Sequence, residues 1–141
     1  MKKQNLKIEN NKQELKKIYP FMDVFCKRNN VPSDVFNEVT LSIDELVTNI
    51  ISYAFGDNEQ HYIDIDVEVE GNLLCVILKD EGREFNPLTY PEVDIKKSLD
   101  EMKIGGLGIH IVRNLMDEIV YKRENNFNVL IIKKSFSKNE N

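Results

Sequence analysis

Two polar residues at helical spacing could together hold a cation and activate a hydroxyl group. Glu45 and Asn49 begin and end the sequence ELVTN, and residues four apart are neighbours on the surface of a helix. An amide oxygen can ligate a divalent cation, and a carboxylate can accept the proton of an attacking hydroxyl group. The pair is a weak signal by itself, because many solvated helix faces carry the same residue types.

A second motif could recognise a flat ring. Asp80 starts the sequence DEGREF directly after an apolar run, and Gly82 follows two residues later. A carboxylate at the end of a strand can accept a hydrogen bond from a ring amino group, and glycine leaves room for the ring to lie against the backbone. A turn that only closes a strand has a similar composition, so both interpretations stay open.

A third motif could hold phosphate groups. Gly105, Gly106, Leu107 and Gly108 precede an apolar helical pattern, and the free backbone N–H groups at the start of a helix attract anions. The motif lacks the Lys-Ser/Thr of a P-loop and does not directly follow a strand, as a dinucleotide fingerprint does. A flexible connection into a helix is the alternative.

Helical periodicity predicts the element that carries Glu45 and Asn49. A helix should begin near Ser33 or Asp34, with one of these side chains as its cap, and should end near residues 56–58. An earlier helical pattern covers residues 11–29, with Pro20 inside it. The apolar residues of the later helix recur every three or four positions: Val35, Val39, Ile43, Leu46, Ile50 and Tyr53.

The remaining patterns predict two hairpins and a lid. Residues 62–69 alternate between apolar and polar, residues 73–78 are continuously apolar, and residues 119–121 and 129–133 form the second hairpin. Residues 81–104 have only weak periodicity, which is typical of a functional loop such as a lid. The order of elements predicts an α/β chain of the α+β type, a two-layer sandwich whose mostly antiparallel sheet is covered by helices on one face.

Composition excludes several classes of protein. The 141 residues fit one domain, and the net charge of −5 argues against nucleic acid or an anionic membrane as the main partner. No run approaches the roughly 20 apolar residues of a membrane span, and the start lacks a signal-peptide core. Cys26 and Cys75 lie in apolar segments, which predicts buried, reduced thiols and a cytoplasmic protein.

The three motifs, in this order, resemble those of the GHKL (Bergerat-fold) ATP-binding domain in the compact form of bacterial anti-sigma-factor serine kinases, the RsbW type. Glu45 and Asn49 match the N box, Asp80 and Gly82 belong to the first glycine box, and residues 105–108 match the second. The match in order is quite specific for ATP binding and less specific for the downstream role.

The resemblance covers about residues 8–134. It implies a single domain over residues 1–141 with a mixed, mostly antiparallel Bergerat-type sheet and an ATP lid at about residues 83–104. It also implies ATP and Mg²⁺ as cofactors. The downstream role would be that of an ATP-dependent serine-protein kinase that phosphorylates a STAS-type anti-anti-sigma protein and binds a sigma factor. Such a protein regulates transcription in the cytoplasm without touching nucleic acid or membrane, and its relatives commonly form homodimers.

Each motif residue has a role in that family. Glu45 would be the general base, and Asn49 would ligate the Mg²⁺ that bridges the phosphates of ATP. Asp80 would accept a hydrogen bond from the adenine amino group, with Gly82 giving the ring clearance. The phosphate-binding residues would be Gly105, Gly106, Leu107 and Gly108.

Two departures from the family pattern keep other functions open. Glu84 stands where many relatives have a second glycine, and Phe127 and Asn128 replace a Gly-Thr pair on the last hairpin. Asn128 could contact the base. The first alternative is a nucleotide-gated binding module with little or no kinase activity. The catalytic domain of a two-component histidine kinase is a second, although no helical pair with a phospho-accepting histidine precedes Asn11. A chain that binds no nucleotide is the third.

Overall fold

Two helices follow the apolar stripes of the sequence in this computed structural model, which describes residues 2–89 and 106–137. A 3-10 turn over Lys12–Lys17 leads into helix α1, which spans Ile18–Arg28. Pro20 lies in the first turn of α1, where the N–H that proline lacks would have no partner within the helix. The α-helix within the pattern at residues 11–29 therefore begins later than the pattern itself.

Helix α2 spans Ser33–Tyr53 and buries its apolar stripe. Its N-cap residue is Pro32, in an extended conformation, and no side chain caps the helix. The predicted capping by Ser33 or Asp34 is therefore wrong, because Ser33 is already the first helical residue. The predicted stripe is confirmed for the five buried residues Val35, Val39, Ile43, Leu46 and Ile50.

One antiparallel sheet carries the rest of the fold. Its strand order is β1-β2-β3-β5-β4, and all four pairings are antiparallel. The prediction of a mostly antiparallel sheet is confirmed, with β3 in the centre. The strands are β1 Lys3–Glu9, β2 Tyr62–Glu70, β3 Leu73–Asp80, β4 Glu118–Glu124 and β5 Phe127–Ser135.

The register of β3, β5 and β4 lines up three polar residues. Asp80 lies opposite Asn128, and Asn128 lies opposite Arg123 on its other side. The turn between β4 and β5 holds Asn125 and Asn126 at φ values of 52° and 68°. Two residues with positive φ match the twist of the strands they join, so the turn fixes this register.

The core lies between the helices and one face of the sheet. Helix α3, Gly106–Leu115, packs beside α2 and buries Ile109 and Val112. The alternating residues of β2 are buried as predicted: Ile63, Ile65, Val67 and Val69. This arrangement confirms the two-layer prediction.

The two cysteines differ in their surroundings. Cys26 is buried, and burial raises the pKa of its thiol to about 12. Cys75 is only partly buried, so that half of the prediction is wrong: its side chain lies on the open face of the sheet. Among the described helices, none is long and apolar enough to cross a membrane. Most of the predicted lid, residues 90–104, lies outside the described residues, and the lid stays a prediction.

Candidate functional site

Asp80 has a buried carboxylate, and one of its two oxygens accepts two hydrogen bonds from the protein. It ends β3 and is 2% exposed. Its Oδ1 accepts hydrogen bonds from the Gly82 N–H at 2.9 Å and from Asn128 Nδ2 at 3.0 Å. Burial raises the pKa of Asp80, whereas these two bonds and the charge of Arg123 lower it. No donor from the described residues contacts Oδ2, which leaves that oxygen available to a ligand.

Asn128 uses its whole hydrogen-bonding capacity on protein groups. Nδ2 donates to Asp80 Oδ1 at 3.0 Å and to the Arg83 carbonyl at 2.8 Å. Oδ1 accepts from the Phe85 N–H at 3.2 Å, the Tyr121 hydroxyl at 2.5 Å and Arg123 Nη1 at 3.2 Å. An asparagine amide has only two N–H hydrogens. Both hydrogens are thus already donated to protein groups, and the contact between Asn128 and a base stays a prediction.

Arg123 and Tyr121 belong to this site but were not predicted from the sequence. Arg123 Nη1 also donates to the Gly82 carbonyl at 2.7 Å, so it joins β4 to the loop after Asp80. A signal for both residues existed, because a two-residue turn at Asn125 and Asn126 places Arg123 opposite Asn128. Strand alternation then puts Tyr121 on the same face as Arg123.

Position 82 needs a glycine because the backbone there lies very close to the end of α2. A Cβ atom on Gly82 would lie 2.6 Å from the Ala54 carbonyl oxygen and 2.9 Å from Asp80 Oδ1. The same carbonyl accepts a hydrogen bond from the Arg83 N–H at 2.9 Å, and Arg83 Nε donates to the Tyr53 carbonyl at 3.0 Å. The loop after Asp80 thus satisfies the last carbonyls of α2, which have no partner within the helix.

Glu45 and Asn49 lie on one face of α2, and the Asn49 amide is not fully paired among the described residues. Asn49 is 5% exposed, and among the described residues its buried Nδ2 has no hydrogen-bond partner. Glu45 is half-buried, and burial, followed by the charge of Asp44, raises the pKa of its carboxyl group. An unpaired buried polar group costs free energy, so the Asn49 amide is a candidate contact for a ligand.

The glycine motif reaches Glu45 through Gly108. A Cβ atom on Gly108 would lie 2.5 Å from Glu45 Oε2, so only a glycine leaves room for this carboxylate in its present position. Gly108 lies in the first turn of α3, which begins at Gly106. Gly105 and the side chain of Leu107 lie outside the described residues. The structure therefore brings Glu45 to the N-terminal turn of α3.

Glu84, the residue that departs from the first glycine box, keeps its side chain at the surface. Glu84 is exposed, and after burial its charge is the largest cause that raises the pKa of Tyr121. The side chain therefore lies near the Asn128 network while remaining in contact with solvent.

Comparison with known proteins identifies the family. Residues 8–134 match the profile of the histidine kinase-like ATPase domain. The chain is 27% identical over 94 residues to the serine/threonine-protein kinase BtrW of Bordetella bronchiseptica, across 67% of this chain and 66% of that protein. It is 25% identical over 105 residues to the serine-protein kinase RsbW of Staphylococcus aureus, across 71% of this chain and 66% of that protein. The chain thus matches somewhat less than two thirds of the length of each relative.

A solved structure shares the fold. The RsbU and RsbW domains of a Mycobacterium tuberculosis protein superpose with a TM-score of 0.66 at 10% identity, over 94% of this chain and 32% of that one. At this identity the likeness concerns the fold alone. The resemblance predicted from the motifs is confirmed, because the family profile covers most of the sequence. The chain belongs to the histidine kinase-like ATPase domain family.

Proposed function

We propose that this chain binds ATP with Mg²⁺ and transfers the γ-phosphate to a serine of a partner protein. The observation that carries the proposal is the contact between Glu45 and the first turn of α3 at Gly108. A helix N-terminus favours phosphate oxygens, and a carboxylate beside them is suited to accept the proton of an incoming hydroxyl group. The names of the two relatives, a serine/threonine-protein kinase and a serine-protein kinase, support the same activity.

The adenine would occupy the end of the site at Asp80. Asp80 Oδ2 would accept a hydrogen bond from the 6-amino group, and the missing side chain at Gly82 would leave space for the ring. The phosphates would extend along α2 towards Asn49 and the N–H groups at Gly106 and Gly108. These assignments, with Leu107 and Gly105 as further phosphate-binding residues, are part of the proposal.

The side chains at the site suit a magnesium ion whose ligands come mainly from the nucleotide. In residues 2–89 and 106–137, no group of three His, Cys, Asp or Glu side chains could hold a metal ion. Mg²⁺ usually takes one or two protein oxygens and completes its shell with phosphates and water. Asn49 offers one amide oxygen as a ligand, and its buried Nδ2, which has no partner among the described residues, would donate to an acceptor such as a phosphate oxygen. When bound there, the ion would neutralise charge on the phosphates.

Glu45 would do the proton chemistry. Its carboxylate accepts the proton of the serine hydroxyl while the serine oxygen bonds to the γ-phosphorus. The bond from that phosphorus to the β-γ bridging oxygen breaks, and ADP leaves. The raised pKa of Glu45 suits this role, because a general base works best when its pKa lies nearer the working pH.

The partners belong to the same proposal. We place the chain in the cytoplasm, where ATP is available and thiols such as Cys26 stay reduced. The serine would belong to a STAS-type anti-anti-sigma protein, and the alternative partner would be a sigma factor, so that transfer would regulate transcription.

A transfer assay tests the proposal. The purified chain is incubated with ATP, Mg²⁺ and a candidate STAS-type protein, and phosphoserine is measured by mass spectrometry. We expect phosphoserine with the wild type and with the control Glu70→Ala, an exposed residue at the end of β2, and none with Glu45→Ala. Nucleotide binding without transfer to any candidate would favour the binding module. A wild type that binds no ATP or ADP at millimolar concentration would overturn both functions.

A further inference from the structure

A groove between the start of α1 and the middle of α2 lies next to Glu45. Its volume is about 290 Å³. Leu41, on one wall, is four residues before Glu45, so the two side chains share a face of α2. The groove therefore ends beside the proposed base. Its apolar lining comes from the 3-10 turn, the first turn of α1 and α2: Leu15, Ile18, Tyr19 and Leu41.

Two of these apolar side chains are open to solvent. Tyr19 is 58% exposed and Leu41 is 44% exposed. The Tyr19 ring packs edge-on against Phe36, with ring centroids 5.2 Å apart, so it is held in place without a partner. Tyrosines of this kind are enriched where proteins bind one another. The rim of the groove is thus suited to contact with a second chain.

Asp44 gives the groove a single charge. Its carboxylate is half-buried, and it has no hydrogen bond or ion pair with any described residue. Burial alone raises the pKa of Asp44, and among the described residues no lysine or arginine lines the groove. Thr40, also in the lining, has a buried Oγ1 without a partner among these residues. Partly buried polar groups gain from pairing, so Asp44 favours a cation supplied by the bound chain.

We propose that this groove binds a lysine or arginine of the substrate protein within about four residues of the acceptor serine, and that Asp44 thereby determines which substrates are used. A long basic side chain has an apolar stem and a charged head. The stem fits between Tyr19 and Leu41, and the head reaches Asp44. A cation near a tyrosine ring gains further stabilisation.

The position of the groove favours the substrate as its occupant. A serine held at Glu45 brings its flanking residues onto the surface next to Glu45, and an extended chain advances about 3.3 Å per residue. Leu41 and Asp44 lie within one helical turn of Glu45, so the flanking residues reach them. The inference rests on the proposed transfer function and adds to it the chemistry of the substrate segment.

A peptide selection tests the inference. The wild type, with ADP and Mg²⁺, is used to select from a display library of short peptides that have a fixed central serine and random flanking residues. We expect enrichment of lysine and arginine within about four residues of the serine. Binding is measured instead of transfer because the charge of Asp44 also raises the pKa of Glu45.

Variants of Asp44 should change this preference. Asp44→Asn should lose the enrichment and bind the best basic peptide about fivefold more weakly, and Asp44→Lys should select aspartate and glutamate instead. The matched control is Asp34→Asn, in the exposed first turn of α2, which should select the same peptides as the wild type.

Leu41→Ala tests the apolar wall and keeps the charge of Asp44. We expect about threefold weaker binding of the same peptide, with a melting temperature close to that of the wild type because Leu41 is exposed. A wild-type dimer in sedimentation that Leu41→Ala dissociates would assign the groove to a second copy and overturn the inference.

The selection also separates this inference from the proposed function. A wild type that binds ADP but shows no preference for basic peptides, or the same preference in Asp44→Asn, would overturn the inference while the ATP site stands. A wild type that binds neither ATP nor ADP would overturn the proposed function and this inference with it.

Discussion

The two ends of the candidate site, the proposed base end at Asp80 and the proposed transfer end at Glu45 and Asn49, are built in opposite ways. At the base end, Asp80 Oδ1 and every polar atom of the Asn128 side chain are hydrogen-bonded to protein groups. At the transfer end, Asn49 Nδ2 has no partner among the described residues, and Glu45 is half-buried with a raised pKa. A satisfied network is rigid before a ligand arrives, whereas unpaired groups are completed by the ligand. The hydrogen bonds at Asp80 and Asn128 are therefore complete before a ligand binds, whereas the Asn49 amide is left for a ligand to complete.

The largest expected effect tests the base end. Asp80→Asn should weaken ADP binding by at least about 100-fold, because an amide cannot satisfy the Gly82 and Asn128 donors and still accept from an amino group as a carboxylate does. Titration calorimetry measures the affinity, with Asp34→Asn in the exposed first turn of α2 as control. Wild-type affinity in a folded Asp80→Asn protein would show that the base binds elsewhere.

Gly82→Ala should damage both binding and stability. The new Cβ would meet the Ala54 carbonyl oxygen, a backbone atom that cannot move without disturbing the end of α2. We expect a loss of about 1–3 kcal/mol in the free energy of unfolding, as in other overpacked sites, with weaker ADP binding. Gly56→Ala is the matched control, since its Cβ would be 3.9 Å from the nearest atom, Arg83 Nη1. Equal denaturation midpoints for the two variants would contradict the close approach at Gly82.

Gly108→Ala should separate chemistry from stability. Its Cβ would meet the end of the Glu45 side chain, which can swing away, and alanine favours a helix over glycine by about 1 kcal/mol. We therefore expect a melting temperature that does not fall, ADP affinity within about twofold of the wild type, and phosphoserine formation reduced about tenfold or more because the base is displaced. A reduced melting temperature with an unchanged transfer rate would be the opposite result.

The smallest expected effect is the pH dependence of transfer. Burial raises the pKa of Glu45, and a general base must be deprotonated to act. The transfer rate should therefore decline as the solution becomes acidic, and the decline should begin at a higher pH than it would for an ordinary glutamate carboxyl group, whereas ADP affinity declines less. Initial rates at saturating ATP measure the decline. A rate that rises towards low pH would argue against Glu45 as the base.

Local sequence patterns predicted the parts of the site that lie within one element. The stripe from Val35 to Ile50 identified α2 and thereby put Glu45 and Asn49 on one face. The apolar run before Asp80 identified the strand it ends. Such patterns record which face of an element is buried, which is information a single segment contains. The prediction of the N-cap of α2 failed because Pro32 already fixes the backbone before Ser33.

Contacts between distant segments could not be read from these patterns. Asp80 and Asn128 are opposite each other in a pairing of β3 with β5, two strands that are not consecutive in the chain. No local periodicity encodes that register. The contact of Gly108 with Glu45 likewise depends on how α3 packs against α2. Tertiary structure thus contributes differently to the two ends of the site. At Asn128 it builds a complete hydrogen-bond network, and at Gly108 it brings one backbone position close to Glu45.

The loop after Asp80 is hydrogen-bonded to the last carbonyls of α2. The end of that helix therefore sets the distance between this loop and Asn49. Asn49 and Ala54 are separated by about 7.5 Å along the axis, at about 1.5 Å per residue. One inserted residue between them would lengthen this distance and rotate Glu45 and Asn49 by about 100° relative to the loop. In the proposed ATP site, the distance between the base and the phosphates therefore depends on a fixed number of residues in α2. Insertions and deletions should be excluded from this short stretch of α2 over evolutionary time, while other helix surfaces change freely.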